Sequence, residues 1–470
     1  MKHLVIGKPF LLMFKPQKIF LFTAIFWGTI SVFITPPFQV PDEPAHFFRA
    51  YQIASGNFFP VTQNNMVGGI IPLSIIKTVD FFVKIPFHTE QKTDFEKIKK
   101  SLALSLNPKV TSFTFFPNTA TYAPVLYVPQ SFAISIGKCF NTTPLLILYA
   151  ARIFTLVSWT ILIYLAIVLT PVYKYLFTLL ALTPMSVFQA ASMSPDSLTI
   201  GAAFLFIAVI FRLSFNADKG LKKLDLLYLI VLLIFLTLSR YAYCFLYLLF
   251  FLIPVRKADS LKHYLLAAML LLIITCITLL IGGSFVKHIY ESIDPSMSFY
   301  GNPAKKVQPY LQIQFILTHI TCYFKTLFVT FWTYKFFIHS FIGKLGWLDT
   351  PLPLTYVLMA SFTLIFISVC EFSQYVVISI RQKLIMLTSI CSVIVVISLL
   401  LYLSWSPVGS SIIEGIQGRY FIPIAPLVFT LLYNRTMILS ENNIVIISIS
   451  YLAISFLVMN FSLISRYYIG

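Results

Sequence analysis

Residues 226–254 read LLYLIVLLIFLTLSRYAYCFLYLLFFLIP, an apolar run interrupted by one charge, Arg240. The run is too long for one upright helical crossing of a bilayer, which takes about 20 residues, and barely long enough for two. Basic segments flank it on both sides, at 212–223 and 256–262. Positive charge is retained on the cytoplasmic side, so the number of crossings must be even and the run predicts a tight hairpin with Ser239-Arg240-Tyr241 at its tip. At about 1.5 Å per residue each arm reaches only ~20 Å, which leaves the tip recessed below the outer surface. An arginine in that position is unfavourable unless paired or hydrated, and this singles it out as a functional candidate.

The rest of the chain has the same character. Of 470 residues, 58% are hydrophobic and 11% charged, more apolar side chains than one soluble core can bury. The alternating polarity of a membrane β-barrel strand is absent, so the expected fold is all-α, a polytopic transmembrane helical bundle forming a single integral membrane domain over 1–470. The net charge of +18 sits in short segments between apolar runs, as cytoplasmic loops require, and points to membrane lipids rather than nucleic acid. The six cysteines have no CxxC spacing and read as small packing residues.

Topology follows from these basic segments. Lys2, Lys8, Lys15 and Lys18 precede a first span at about 19–36, with no small-x-small cleavage site after it, so the N-terminus is expected in the cytoplasm and the span is expected to be retained. The following segment, 37–148, is then a long extracytoplasmic loop. Within it, 122–137 is apolar, but counting it as a crossing would turn every later basic loop outward; it reads as an interfacial helix, with Pro124 and Pro129 breaking it. Further spans fall at about 149–170, 175–192, 198–214, 226–239, 241–254, 264–284, 353–371, 384–405, 420–433 and 444–463, about eleven in all. A second extracytoplasmic region, 285–350, is rich in aromatics with scattered His319, Lys325, Lys335 and His339; a further hairpin there would raise the count to about thirteen.

Directly after the first span comes PPFQVPDEPAHFFR, residues 36–49, which places Asp42, Glu43, His46 and Arg49 at the outer membrane surface among prolines. His46 and Arg49 fall on one face of the helix that follows. The bland alternative is that the carboxylates cap this helix. Asp196, in SMSPDS at 192–197, taken alone reads as the N-cap of the next helix. Arg419, in EGIQGRYFIP at 414–423, could be a snorkelling arginine or a bidentate phosphate ligand. The parity argument places Asp42, Glu43, Asp196, Arg240 and Arg419 on the same side, although none of them was used to choose that side. Carboxylates and arginines above an apolar groove suit one chemistry: a lipid phosphate leaving group held by Arg and an acceptor hydroxyl deprotonated by Asp or Glu. No Gly-rich nucleotide loop is visible, which disfavours a nucleotide-sugar donor.

Four stretches carry a resemblance: PDEPAHFFRAYQIASG at 41–56, MSPDSL at 193–198, GKLGWLDTPLP at 343–353 and GIQGRYFIPIAP at 415–426. Over nearly its whole length the chain resembles a family of bacterial predicted membrane proteins grouped with the GT-C superfamily of polyprenyl-phosphate-dependent glycosyltransferases. The resemblance implies a catalytic acidic residue in the first external loop, matched by Asp42 with Glu43 beside it, and a further external acidic position, matched by Asp196. It implies transfer with inversion from a lipid phosphate or pyrophosphate sugar, with a divalent metal (Mg or Mn) in some members. Asp42, Glu43 and Asp196 are the carboxylates that would ligate such a metal. Where the family pattern leads one to expect a lysine at the hairpin tip, this chain has Arg240, which keeps the charge and changes the phosphate geometry.

The resulting expectation is an inverting glycosyltransferase of the bacterial cytoplasmic membrane that faces outward and serves cell-envelope polysaccharide synthesis. Asp42 is the general base and Glu43 its assistant; Arg240 and Arg419 hold the donor phosphate; His46, Arg49, Asp196 and Gln417 support the site. The donor is a polyprenyl-phosphate sugar and the acceptor a glycan or lipid. Two alternatives stay open: a transporter of lipid-linked oligosaccharide or polysaccharide, whose broken-helix repeats are not apparent, and an O-antigen-type polymerase or ligase.

Overall fold

The computed structural model describes residues 14–216, 220–291, 307–333 and 336–469. Lys2, Lys8, Lys219 and Lys335, used above in reading the topology, lie outside them. The chain opens on helix α1, Pro16–Ile34, begun by a proline at its first position, where the missing N–H leaves no bond unmade. The segment after it forms α2 (Glu43–Ala54), strands β1 (Val61–Gln63) and β2 (Met66–Pro72), α3 (Leu73–Asp80), α4 (Phe95–Ala103), β3 (Thr111–Phe115) and α5 (Pro117–Ala120). A 3-10 turn, Pro124–Tyr127, leads into α6, Val128–Cys139.

The three strands pair antiparallel in the order β1-β2-β3, with Val61 opposite Gly68 and Gly68 opposite Phe115. The all-α expectation therefore holds for the membrane helices and not for the segment between α1 and α7. The strands are short and β2 contains two glycines, so little strand signal is legible there. Gly68 is required, because a Cβ at that position would lie 1.8 Å from the Thr114 carbonyl oxygen.

Next come α7 (Pro144–Leu169), α8 (Lys174–Ala181), α9 (Pro184–Ala190), α10 (Asp196–Phe215) and α11 (Lys223–Ser239). A 3-10 stretch, Tyr241–Leu252, precedes α12 (Leu261–Glu291); then follow α13 (Pro309–Thr318), α14 (Ile320–Thr333), α15 (Phe336–Ile342) and the strand pair β4 (Lys344–Leu345) and β5 (Thr350–Pro351). The chain continues through α16 (Leu354–Cys370), α17 (Ile380–Ser404), a 3-10 turn at Gly418–Ile424, α18 (Ala425–Thr430) and α19 (Glu441–Tyr467). Helix α17 starts with a capping box, Ser379 and Gln382 each accepting the other's backbone N–H at 3.3 and 2.9 Å.

Among the described residues six helices are long and apolar enough to cross a membrane: α1, α7, α10, α12, α17 and α19. The α13–α14 pair would be a seventh if its 107° bend is counted within one span. The other predicted spans hold shorter or broken elements. Pro184 splits 175–192 into α8 and α9, since the residue before a proline is driven to extended backbone. Pro423 and Pro426 reduce 420–433 to a 3-10 turn and one short helix. Arg240 ends α11, and the second hairpin arm runs as 3-10 helix for twelve residues, well beyond the usual length of such turns.

Helix α7 packs against α10, α6 and α1. Its exposed face carries Leu146, Ile153, Val157, Ile161, Leu165 and Val168, an apolar stripe at helical spacing that only lipid covers favourably. Its inner face holds Thr155 and Thr160, whose hydroxyls donate to the carbonyls four residues back at 2.8 Å, and small residues that let α10 approach.

Candidate active site

Asp42 is the residue before α2, yet its side chain caps nothing there; it has φ +62°, in the left-handed region that a non-glycine residue enters only when its surroundings impose it. Its Oδ1 accepts a hydrogen bond from Asn118 Nδ2 at 2.8 Å. Asn118 is itself fixed, its side-chain oxygen accepting Thr119 N–H at 3.1 Å. Among the described residues no group donates to Asp42 Oδ2, and the side chain is half-buried.

Glu43, one residue on, points the other way and is fully buried. Arg152 on α7 grips it with both prongs, Nε to Oε1 at 2.9 Å and Nη2 to Oε2 at 2.6 Å. Met193 N–H adds a third bond at 3.1 Å. Arg152 spends its remaining donors on the carbonyls of Val32, Thr35 and Pro36 at 3.0, 2.7 and 2.9 Å. Sequence reading passed over Arg152. The signal was available: it is the one charge in the 26-residue helix α7, and an ionisable group inside an apolar span needs a partner.

His46 Nδ1 lies 2.7 Å from the Tyr127 hydroxyl, and its ring packs near Tyr122. Burial holds the imidazole below its ordinary value, against the opposing pull of Asp42 and Asp196. Burial likewise keeps the Tyr127 phenol well above its ordinary value, so it is a proton donor throughout the physiological range. Arg49 is buried with no carboxylate; it donates to Gln52 Oε1 at 2.7 Å and to the Phe58 and Tyr122 carbonyls at 2.9 and 3.2 Å, and burial brings its guanidinium down to about 10. It braces the loop, as its place beside the acidic pair suggested.

Asp196 is the first residue of α10, and its side chain does not cap that helix. It faces two arginines from distant elements: Arg240 Nη2 at 3.6 Å and Arg419 Nε at 3.9 Å. Both separations are longer than a normal hydrogen bond, so the three groups are held chiefly by charge. Arg240 lies 3.8 Å from the Tyr420 ring centroid, a cation–π contact, and Tyr243 O–H fixes the Tyr420 carbonyl at 2.8 Å. Arg419 Nε is buried without a hydrogen-bond partner, and so is Gln417 Oε1. Gly418 between them has no room for a side chain, a Cβ there falling 2.2 Å from the Phe337 carbonyl oxygen.

A cavity of about 240 Å³ opens beside this cluster, which reaches it through Arg240. Asn118, Tyr122 and Arg240 form its polar side, while Leu238, Val286, Ile397 and Leu400 form an apolar wall. Asp196, Arg240 and Arg419 thus meet from α10, the hairpin tip and the Gly418 turn, with Asp42 and His46 of the first loop within reach of their charges. Glu43, Arg49 and Gln417 stand behind that cluster. The three carboxylates named for a divalent ion do not form a donor set: Glu43 faces Arg152, Asp196 faces two arginines, and among the described residues no group of three or more His, Cys, Asp or Glu is placed to hold a metal.

Fold and site together define a polytopic helical membrane protein with a cluster of opposed charges beside a partly apolar cleft. The chain belongs to the family described as predicted membrane protein (DUF2142), whose profile matches residues 25–428. No curated protein and no solved structure matches it.

Proposed function

We propose that this protein is an inverting glycosyltransferase of GT-C type, in the bacterial cytoplasmic membrane, using a polyprenyl-phosphate or pyrophosphate sugar to extend an extracytoplasmic glycan or lipid of the cell envelope. The observation that carries the proposal is the gathering of two arginines around Asp196 at the edge of an apolar-walled cleft, which Arg240 and the Asn118 that orients Asp42 both line. The acceptor hydroxyl oxygen attacks the anomeric carbon and gives its proton to Asp42 Oδ2. The bond from that carbon to the phosphate oxygen breaks, and the lipid phosphate leaves with the electron pair toward Arg240 and Arg419. Guanidinium pairs suit phosphate oxygens, and charge stabilisation in a dry cleft is the larger part of such catalysis. The apolar wall takes the first isoprene units. Asp196 keeps the two arginines apart and aimed, Glu43 and Arg49 hold the loop, and a membrane topology of about eleven crossings with the N-terminus inside puts this face outside.

The test is transfer of radiolabelled sugar from a panel of polyprenyl-phosphate and pyrophosphate sugars by the full chain in nanodiscs. Asp42→Asn should lower turnover by ~10²–10⁴ while the protein stays folded, because the amide is nearly isosteric and accepts no proton. Movement of the labelled lipid across the bilayer with no bond broken would replace the reading with transport.

A further inference from the structure

A second cavity, of about 640 Å³, lies against Pro44, two residues from Asp42. Phe82, Phe87 and Trp347 wall it, with Lys84, His88 and Gln91 among its polar lining groups. Phe87 and Trp347 meet edge to face, ring centroids 5.7 Å apart. Phe87 is 69% exposed, and its backbone has φ +64°, an unfavourable geometry for a bulky residue; Leu348, beside Trp347, has φ +67°. The chain could bury Phe87 or relax it, and does neither.

Instead a set of bonds enforces the arrangement. Trp347 Nε1–H donates to the Phe38 carbonyl at 3.0 Å. Asp349 Oδ2 accepts the Phe87 N–H at 3.3 Å and Arg466 Nη2 at 2.9 Å. Arg466 also donates to the carbonyls of Ile85, His88 and Gln91 at 3.0, 3.1 and 3.0 Å. The rigid aromatic faces and the hydrogen-bonding groups around them share one concavity, of a size that suits a small ligand.

We infer that this cavity is an oligosaccharide-binding site, holding the acceptor glycan so that its end reaches Asp42 from the side opposite the lipid cleft. Sugar rings present C–H faces to aromatic π surfaces and hydroxyls to amide, imidazole and ammonium groups, and this cavity offers both. Asp42 then stands between two cavities, one lined by its hydrogen-bond partner Asn118 and the other by Pro44, two residues along the chain. The ligand's role as acceptor rests on the glycosyltransferase reading; the site's affinity for saccharide does not.

The experiment is tryptophan fluorescence of the full chain in nanodiscs titrated with chitotetraose, maltotetraose, mannotetraose and galactotetraose. At least one should shift emission saturably, and Trp347→Phe should remove the shift. Phe87→Ala and Gln91→Ala should each weaken binding, Phe87→Ala about tenfold, the loss of one aromatic contact. An unchanged size-exclusion profile and unchanged binding of polyprenyl phosphate in these variants separate a lost contact from misfolding. Binding without transfer by any donor would uphold this site and sink the proposed reaction. Transfer with an acceptor KM unmoved by Phe87→Ala and Gln91→Ala would do the reverse. Strong quenching of Trp347 by brominated acyl chains, with no saccharide response, would show a lipid-covered groove and overturn the inference.

Discussion

Replacing Glu43 by glutamine separates two roles that the sequence could not. As a reacting carboxylate, Glu43 would lose turnover and keep stability; as the partner of Arg152, it should lose stability first. Both side chains are fully buried and joined by two charge-assisted hydrogen bonds at 2.6 and 2.9 Å. Glu43→Gln leaves a guanidinium uncompensated in the bundle, and removing one member of a buried pair costs about 3–5 kcal/mol. The three carbonyls held by Arg152 lie between the end of α1 and the acidic loop, so the loss should loosen the segment carrying Asp42. Thermal unfolding of the purified protein, followed by tryptophan fluorescence, should show Glu43→Gln markedly less stable than Asp42→Asn. The double variant with Arg152→Met should recover part of the difference, since a neutral apolar pair leaves no charge unpaired. A Glu43→Gln protein that melts like the unaltered one and yet fails to turn over would refute the reasoning and return Glu43 to the reaction.

Arg240→Ala should raise the donor concentration needed for transfer, with Arg240→Lys restoring part of it, because an ammonium keeps the charge and loses the fork; an effect on acceptor dependence alone would end the phosphate role. Cysteines placed at Asn57 and Gly409 should react with impermeant reagents on intact cells while one at Lys222 should not, and labelling of the Lys222 site alone would invert the topology. The same logic covers Asn302, which lies outside the described residues. Because burial holds His46 below 6.5, the unfolded chain takes up its proton first as pH falls. Stability should therefore be fully present above pH 6.5 and decline below it, and His46→Gln should flatten that decline in melts recorded from pH 7.5 to 5.

Legibility followed physical scale. Lipid imposes its requirement on twenty residues at a time, so α1, α7, α10, α12, α17 and α19 stand close to where apolar length put them. The hairpin tip at Arg240 was legible because charge inside such a run has few permitted places. Short elements were not: three strands of three to seven residues in the first loop follow from pairing partners up to some fifty residues apart, which a local pattern does not contain. Among site residues, the direction of each side chain was not readable. Asp42 and Glu43 are neighbours in sequence, and the left-handed backbone at Asp42 sends them to different partners. Asn118 carried no signal, since a neutral amide in a loop is unremarkable until it is found against a carboxylate.

The bonds from Arg466 to Ile85, His88 and Gln91 join residues 375 to 381 positions apart. During synthesis the acidic loop emerges early and waits while more than three hundred residues are inserted behind it. Only when α19 has entered the membrane can the loop around Phe87 lock into its left-handed form. A ribosome that stalls before that helix would leave a protein with Asp42 already made but the neighbouring cavity unset. Synthesis of α19 thus acts as a timer on the site, postponing its assembly until the helices that restrain it exist.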